Sequence, residues 1–410
     1  MRQALIALAA LLIAGIGQSG TAHAAGTLPA PSASPSCVSG SARYDVAVPG
    51  HPFSAVQSRD GSTLFVAVVG SSPALRNGIA VLRCRNGHFH YSHLSPLESS
   101  PLGMVGTHDG KLLIVADDGF VAFVDQERAL LGRPALLGYF QDVEGDPEDN
   151  DAGSVYVNVT PDDRYAFVAD EDNQTITVIN LARARAGGFT RAAIVGQIPV
   201  AEAPVALVFS PDGKYLFTTS EVALKSYNYA PSCRPEGAGS NARLTVAPGV
   251  IQTIDVHAAQ TDPAHALIGR FAGACSPVRM AIAPDGKTIF VTNRNSNSVT
   301  AYSTARMIAG KPDALTATVP VGAGPVAIAV TGDGRYVLAG NTNRFGPSGP
   351  SQGTVSVIDT ATMRVSGTIP VGIFPRQFSP GIGSILFLSN NRSNTITVFD
   401  TSRLSEIVGH

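Results

Sequence analysis

The chain has 410 residues, with 29 Lys and Arg against 31 Asp and Glu and a formal net charge of −2. So small a net charge excludes the broad basic field that drives non-specific binding to nucleic acid, and no nucleic-acid partner is expected. The four cysteines form neither a CxxC nor a CxxCH spacing, so an even set of disulfides in an oxidising compartment is the first interpretation.

The N-terminus has the features of an export signal. Arg2 supplies a positive charge, Ala4 to Ile16 is apolar, and Ala22-His23-Ala24 has the small-x-small pattern of a signal-peptidase site. We predict a signal peptide over residues 1–24, a flexible leader over residues 25–41 and a periplasmic or secreted product. The apolar run is shorter than the ~20 residues that span a bilayer, so no membrane span is expected.

A repeated phrase organises residues 42–410. A Pro and a short apolar run lead to Asp-Gly, and a second apolar run and two further strand-like segments follow. Asp-Gly after a β-type run predicts a hairpin, because Gly accepts the positive φ of such turns. The predicted turns are Asp60-Gly61, Asp109-Gly110, Asp162-Asp163, Asp212-Gly213, Asp285-Gly286, Asp333-Gly334 and a degenerate Gly381-Ile382-Gly383.

Seven units of about 50 residues, each with four short strands, predict an all-β, seven-bladed β-propeller. The last unit has no room for its fourth strand, whereas Arg43 to Val48 has the pattern of one. We therefore expect the N-terminal strand to complete the last blade and close the ring, with an open or differently counted ring as the alternative.

An insertion at about residues 221–250 lengthens the fourth unit, and it is either a lid or a decorated loop. Among the cysteine pairings we favour Cys37 with Cys84 and Cys233 with Cys275, because each pair falls within neighbouring blades. Zinc ligation or free thiols are the alternatives.

Several phrases resemble the YVTN-type β-propeller repeat family. They are Phe290 to Asn293, Gly353 to Thr362, Thr368 to Gly372 and Phe209 to Phe217. More loosely, the chain is similar to lactonase-like seven-bladed propellers. The resemblance covers nearly all of the mature chain and implies an extracytoplasmic protein whose relatives mostly bind ligands or act as scaffolds, with hydrolases and oxidoreductases at a distance. Its motifs specify the fold well and the activity poorly.

Polar residues end the second strand of most units. They are Asp117, Asp170, Ser220, Asn293, Asn341 and Asn390, with Val68 in the first unit. In the structural interpretation these side chains cap strand ends through local hydrogen bonds. In the functional interpretation they form a polar ring at the mouth of the channel, where the asparagines orient a ligand.

Charges are divided unevenly around the same face. The basic half comprises Arg279, Arg294, Arg344, Arg376 and Arg392, and the acidic half comprises Asp117, Asp118, Asp170, Glu171, Asp172 and Glu221. Because the planar guanidinium fork binds carboxylate and phosphate in a bidentate manner, this division predicts a site for a small anionic or zwitterionic ligand. Solvated surface arginines are the alternative.

Two further clusters suggest metal ions. The acidic loop 142–151 resembles a calcium loop superficially, although Pro147 and Gly153 stand where an EF-hand needs Gly and Glu. His88, His90 and His93 form an HxHxxH cluster near the end of the first unit. A solvated loop and a surface cluster are the preferred interpretations, so no cofactor is expected, with a divalent cation such as calcium as the alternative.

The sequence thus predicts a monomeric propeller that binds a small anionic molecule or a protein partner at its loop face without catalysis. The alternative is a lactonase-like hydrolase, in which Glu221 or Asp170, with or without a divalent ion, activates water for attack on a ring ester.

Overall fold

The computed structural model describes residues 37–38, 40–71, 76–143, 153–235, 246–345, 349 and 351–408. These residues form seven four-stranded antiparallel sheets. The chain is therefore the seven-bladed, all-β propeller that the repeats predict. The predicted signal peptide and most of the predicted leader fall on residues 1–36, outside the described part of the chain.

The bounds of the elements follow in chain order. The strands are β1 (Arg43–Ala47), β2 (His51–Gln57), β3 (Thr63–Val69), β4 (Gly78–Arg85), β5 (His88–Pro96), β6 (Met104–Gly106), β7 (Leu112–Ala116), β8 (Phe120–Asp125), β9 (Leu136–Gln141), β10 (Ser154–Val159), β11 (Tyr165–Asp170), β12 (Thr175–Asn180), β13 (Ile194–Pro199), β14 (Glu202–Phe209), β15 (Tyr215–Val222), β16 (Val250–Asp255), β17 (Leu267–Ala272), β18 (Pro277–Ile282), β19 (Thr288–Asn293), β20 (Ser298–Ser303), β21 (Leu315–Pro320), β22 (Pro325–Val330), β23 (Tyr336–Asn341), β24 (Gln352–Asp359), β25 (Arg364–Ile373), β26 (Pro375–Pro380), β27 (Ile385–Asn390) and β28 (Thr395–Asp400). The α-helices are α1 (Gln126–Leu130), α2 (Leu181–Ala186), α3 (Val256–Ala259) and α4 (Thr304–Ile308). The 3₁₀ helices span Arg191–Ala193, Lys225–Tyr227, Pro263–His265, Arg294–Ser296, Asn391–Ser393 and Thr401–Glu406.

Each blade contains four strands, here called a to d in the order in which they pair. Blades 1 to 6 take consecutive groups of four from β2 to β25, and blade 7 contains β26, β27, β28 and β1. The pairing of β1 with β28 runs from Arg43 opposite Phe399 to Ala47 opposite Thr395. The strand nearest the N-terminus is therefore strand d of the last blade.

The turns between strands a and b are built from side-chain contacts that the sequence encodes locally. In blade 2, the Thr107 hydroxyl donates to Asp109 Oδ1 at 2.5 Å, and the same oxygen accepts the Lys111 N–H at 3.0 Å. Gly110 follows with a φ of 71°, which Gly adopts without a Cβ clash. Asp109 Oδ1 is therefore occupied within its own turn, while Oδ2 accepts a hydrogen bond from Arg185 at 3.0 Å.

The hydrophobic core lies between neighbouring blades, where strands b and c are buried on both sides. Phe65 and Ile79 of blade 1 pack with Leu113 and Val124 of blade 2 in one cluster, and similar clusters join the other blades. Each sheet thus buries its two faces against two neighbours, which fixes the ends of the strands around the axis. No helix among the described residues is long and apolar enough to span a bilayer.

Two disulfides link parts of neighbouring blades. Cys37 joins the segment before β1 to Cys84 on β4, and Cys233 in the insertion of blade 4 joins Cys275 in the loop that leads to blade 5. These are the two pairings that the sequence favours, because each pair of cysteines falls within neighbouring blades. Disulfides of this kind are typical of proteins in oxidising, extracytoplasmic compartments.

Candidate functional site

A β-bulge near the start of strand a recurs around the propeller. The pairing of strands a and b shifts register directly after Pro204, Pro277, Pro325 and Pro375, and after the equivalent residues of blades 1 and 3. Such bulges re-aim a side chain. The residue that directly follows this Pro or its equivalent differs between blades. In blades 1 to 7, in order, it is Phe53, Leu102, Val155, Val205, Val278, Val326 and Arg376. Blade 7 therefore places a cation where the other six blades place an apolar side chain.

A second set of equivalent residues directly follows the polar end of strand b. Glu171, Glu221 and Arg294 occupy this position in blades 3, 4 and 5. Because the start of strand a and the end of strand b lie at the same end of a blade, the two sets face one another. This is the end that carries the d-to-a and b-to-c connections.

The two sets enclose a cavity of about 240 Å³, here called the arginine cavity. Its described lining comprises Val155, Val205, Val278, Val326, Arg279, Arg294, Arg344, Arg376, Glu171 and Glu221. The structure thus brings together four of the five arginines of the predicted basic half, along with Glu171 and Glu221 of the acidic half. The four valines pack on one another and form its apolar wall.

Arg279 is held rigidly by neutral groups and is only 4% exposed. Its Nε donates to Gln377 Oε1 at 2.8 Å, and its Nη1 donates to the Val205 carbonyl. The Gln377 amide donates in turn to the Tyr156 hydroxyl at 3.3 Å, and the Arg279 guanidinium lies 5.1 Å from the Tyr156 ring. Burial lowers the pKa of Arg279.

Arg376 lies between two aromatic rings. The carbon of its guanidinium is 4.3 Å from the centroid of Phe53 and 5.8 Å from that of Phe374. Its Nε is buried without a hydrogen-bond partner among the described residues. Burial, followed by repulsion from Arg279, lowers the pKa of Arg376 to about 9. The cation is therefore in an environment that penalises its charge.

Phe374 is held in an uncommon backbone conformation. Its φ is 60°, a region that is unfavourable for a bulky side chain, whereas the equivalent residue of blade 6 is Gly324, also with a φ of 60°. The Phe374 ring also lies 5.3 Å from the guanidinium of Arg344 and 5.8 Å from that of Arg392. The residue thus gathers three cations around one ring, although Arg392 is not among the residues that line the cavity.

The two glutamates of the cavity have different environments. Glu221 forms a salt bridge of 2.6 Å with Arg294, in which both side chains are largely buried. Burial, followed by repulsion from Glu221, raises the pKa of Glu171, while Arg279 opposes the shift. Glu171 is therefore the carboxyl group of this cavity that takes up a proton more readily than usual.

Asn293, Asn341 and Asn390 are fully buried and do not line the arginine cavity. Each side-chain amide donates to a Thr or Ser hydroxyl of strand c in its own blade, at 3.0, 3.0 and 2.7 Å respectively. These contacts favour the structural interpretation of the polar strand ends. The Nδ2 groups are thereby occupied, whereas each Oδ1 is buried without a hydrogen-bond partner among the described residues.

Asp117 and Asp170 also lie inside their blades and away from the cavity lining. Asp170 accepts hydrogen bonds from Ser154 at 3.1 Å and Thr177 at 2.8 Å, and it lies against the carboxyl group of Asp142. Burial, followed by repulsion from Asp142, raises the pKa of Asp170. A water-activating role for Asp170 at the channel mouth is therefore not supported by its position.

The proposed metal clusters are not assembled in the described part of the chain. Residues 144–151 of the acidic loop lie outside it. His93 contacts the Ala129 carbonyl at 2.8 Å, and His88 packs on the Tyr44 ring at 4.5 Å. Within the described ranges, no three His, Cys, Asp or Glu side chains are grouped to hold a metal ion.

Sequence reasoning missed the aromatic and amide residues that hold the arginines, namely Phe53, Tyr156, Phe374 and Gln377. A signal for part of this arrangement is present in the repeats. Comparing the two residues that follow the Pro of units four to seven shows Val-Ala in units four and six, Val-Arg in unit five and Arg-Gln in unit seven. The two arginines at these positions, Arg279 and Arg376, both line the cavity.

Comparison with known proteins agrees with this fold. A sequence model of the family described as "Lactonase, 7-bladed beta-propeller" matches residues 146–344, which carry blades 3 to 5 and much of blade 6. The chain is thus similar to that family over the part that supplies most of the cavity. No curated protein matches the sequence significantly.

Proposed function

We propose that this protein is an extracytoplasmic propeller that binds a small anionic ligand in the arginine cavity. The observation that carries the proposal is the half-buried guanidinium of Arg376, which lies close to two rings, has a buried Nε without a hydrogen-bond partner among the described residues, and has its pKa lowered to about 9. The two disulfides support a periplasmic or secreted location.

Burying an unpaired charge is energetically unfavourable. A buried ion without a partner costs several kcal/mol, and hydrogen bonds to an anion recover much of that cost. Planar guanidinium groups also provide the paired donors that carboxylate and phosphate oxygens accept. An anion that enters the cavity therefore stabilises the folded protein, whereas an uncharged ligand of the same size does not relieve the repulsion among the arginines.

The test replaces Arg376 with valine, the residue that blades 3 to 6 carry at the equivalent position. Arg376→Val should fold, and it should melt at a higher temperature than the wild type without ligand, because an unpaired buried charge is removed. The melting temperature is measured in chloride and with added sulfate or succinate at matched ionic strength. The wild type should gain stability from the added anions, and the variant should gain little.

Arg335→Val is the matched control. Arg335 also lies over an aromatic ring, 5.5 Å from the centroid of Tyr336, but it is exposed in the a-to-b turn of blade 6 at the other end of the propeller. Its replacement should leave the anion-dependent gain unchanged. Equal gains in the wild type and in Arg376→Val, or no gain in the wild type, would contradict the proposal.

A second candidate is a hydrolase that opens an anionic ring ester, and the match to the lactonase family favours it. Glu171 lines the cavity with a raised pKa, which suits a general base. In this reaction Glu171 accepts a proton from water as the water oxygen attacks the ring carbonyl carbon. The ring C–O bond then breaks, and the proton passes to the leaving oxygen, so that the product is a hydroxy acid beside the arginines.

Glu171→Gln tests the hydrolase. If Glu171 acts as the base, hydrolysis of lactones that carry an anionic group should fall by about 10²- to 10⁴-fold, while anion-dependent stabilisation is retained. Acid release is followed by titration at constant pH, with the exposed Glu406→Gln as a control. If the wild type does not release acid faster than buffer alone, the protein is not a hydrolase of these lactones. The proposed binding function is unaffected by that result.

A further inference from the structure

We propose that the arginine cavity selects a doubly charged anion, with Arg279 and Arg376 each compensating one negative charge. This inference rests on the proposed function and names the ligand class for the same cavity. It concerns the number of charges on the ligand, which anion binding alone does not determine.

The two guanidinium groups lie close to one another. Both stand over the ring of Phe53, with Arg376 at 4.3 Å and Arg279 at 5.6 Å from its centroid. Their mutual repulsion contributes to the lowered pKa of Arg376. Two like charges over one ring in a buried site are a costly arrangement unless something neutralises both.

No described carboxylate neutralises this pair at close range. Glu221 is engaged by Arg294 at 2.6 Å, and the hydrogen-bond partners of Arg279 are a carbonyl and a neutral amide. Neither Arg279 nor Arg376 forms an ion pair with the described residues, although Glu171 exerts a weaker attraction on both. A singly charged ligand would leave one of the two cations uncompensated, whereas a dianion would compensate both.

The size of the cavity limits the ligand. A volume of about 240 Å³ is many times the ~10–15 Å³ that holds one water molecule, so the cavity has room for a small organic molecule. The wall of Val155, Val205, Val278 and Val326 offers apolar contact for the remainder of the ligand. The cavity therefore suits a short organic molecule with two negative charges, either a dicarboxylate or a phosphate monoester.

Isothermal titration of the full-length mature protein with a set of anions at neutral pH and constant ionic strength tests the inference. Succinate and butyrate have the same chain length but differ by one charge. Glycerol phosphate distinguishes a phosphate monoester from a dicarboxylate, and sulfate tests a dianion without a carbon segment. The tighter of succinate and glycerol phosphate should bind at least about tenfold more tightly than butyrate, because its second negative charge accepts charge-assisted hydrogen bonds from the second arginine.

Arg376→Val should reduce this preference to less than about threefold, and Arg335→Val should preserve it. Arg279→Ala, which matches Ala206 and Ala327 at the equivalent positions of blades 4 and 6, provides a second variant with the same expected loss. Circular dichroism and the melting temperature establish that each variant is folded.

Three outcomes separate the two proposals. Binding of butyrate with the same affinity as the best dianion overturns the dianion inference and leaves anion binding intact. A dianion preference that survives in both arginine variants overturns the assignment to Arg279 and Arg376. Absence of binding for every anion overturns the proposed function together with this inference.

Discussion

Asp117 is a buried carboxyl group whose environment differs from that of its counterparts in other blades. In blades 5 and 7 the side chain at this position meets two hydroxyl groups of strand c, as Asn390 does with Thr395 and Thr397. In blade 2 the corresponding residues are Phe120 and Ala122. Both carboxylate oxygens of Asp117 are therefore buried without a hydrogen-bond partner among the described residues. Burial, followed by repulsion from Asp118, raises the pKa of Asp117 to about 7.

This shift makes the free energy of unfolding depend on pH. The folded-state pKa of about 7 lies above the unfolded value of about 3.9, so the folded state binds the proton more tightly. Stability is therefore lost as the pH rises from about 4 through about 7, and the loss is at most ~4 kcal/mol. Blade 1 carries a valine, Val68, at the position equivalent to Asp117. The replacement Asp117→Val therefore introduces a side chain that another blade already has there, and it should remove this loss of stability. The variant should be more stable than the wild type at about pH 8, and the difference should shrink at about pH 5.

Chemical denaturation at the two pH values measures the difference. Asp285→Asn is a control in an exposed turn, where backbone and side-chain contacts with Lys287 lower the pKa of the carboxyl group. Asp285 is ionised at both pH values, so its replacement should have the same small effect at each. A stability difference for Asp117→Val that is equal at both pH values would show that the carboxyl group does not titrate in this range.

At the scale of strands and turns, the sequence was informative because the turn chemistry is local. The seven predicted a-to-b turns are the turns of the structure, and turn carboxylates such as Asp60, Asp212 and Asp333 accept hydrogen bonds within a few residues of themselves. The order of the blades follows from the same repeats. The pairing of β1 with β28 joins residues more than 340 positions apart. The sequence still indicates this pairing, because the last unit lacks one strand.

The site was less predictable because it depends on contacts between blades. The sequence predicted a single group of five arginines, and it did not distinguish the four that line the cavity from Arg392, which lies near the ring of Phe374. The asparagines illustrate the same limit. Their polarity suggested a ligand, whereas burial places their amides against hydroxyls of strand c. Burial and partnership are set by packing between blades, which a periodic pattern does not report.

At the scale of the whole molecule, the junction between the first and last blades is where the ring can open. β1 belongs to blade 7, but Cys37 just before it is bonded to Cys84 in blade 1. Tyr44 on β1 reinforces this link, because its hydroxyl donates to the Cys37 carbonyl at 2.7 Å and accepts the N–H of Phe89 in blade 1 at 3.1 Å. The first disulfide therefore bridges the closure, whereas the second, Cys233–Cys275, fastens an insertion.

The two disulfides allow closure to be separated from simple cross-linking. Their sequence separations are 47 and 42 residues, so loop-closure entropy assigns each about 4 kcal/mol and hardly distinguishes them. The double replacement of Cys37 and Cys84 with serine should accelerate unfolding more than the same replacement of Cys233 and Cys275, because it also releases the strand that closes the ring. Unfolding rates in denaturant measure this, and fully reduced wild type gives the combined effect. Equal acceleration in the two variants would mean that the covalent link across the junction adds nothing beyond the entropy of its loop, and that β1 is held by strand pairing alone.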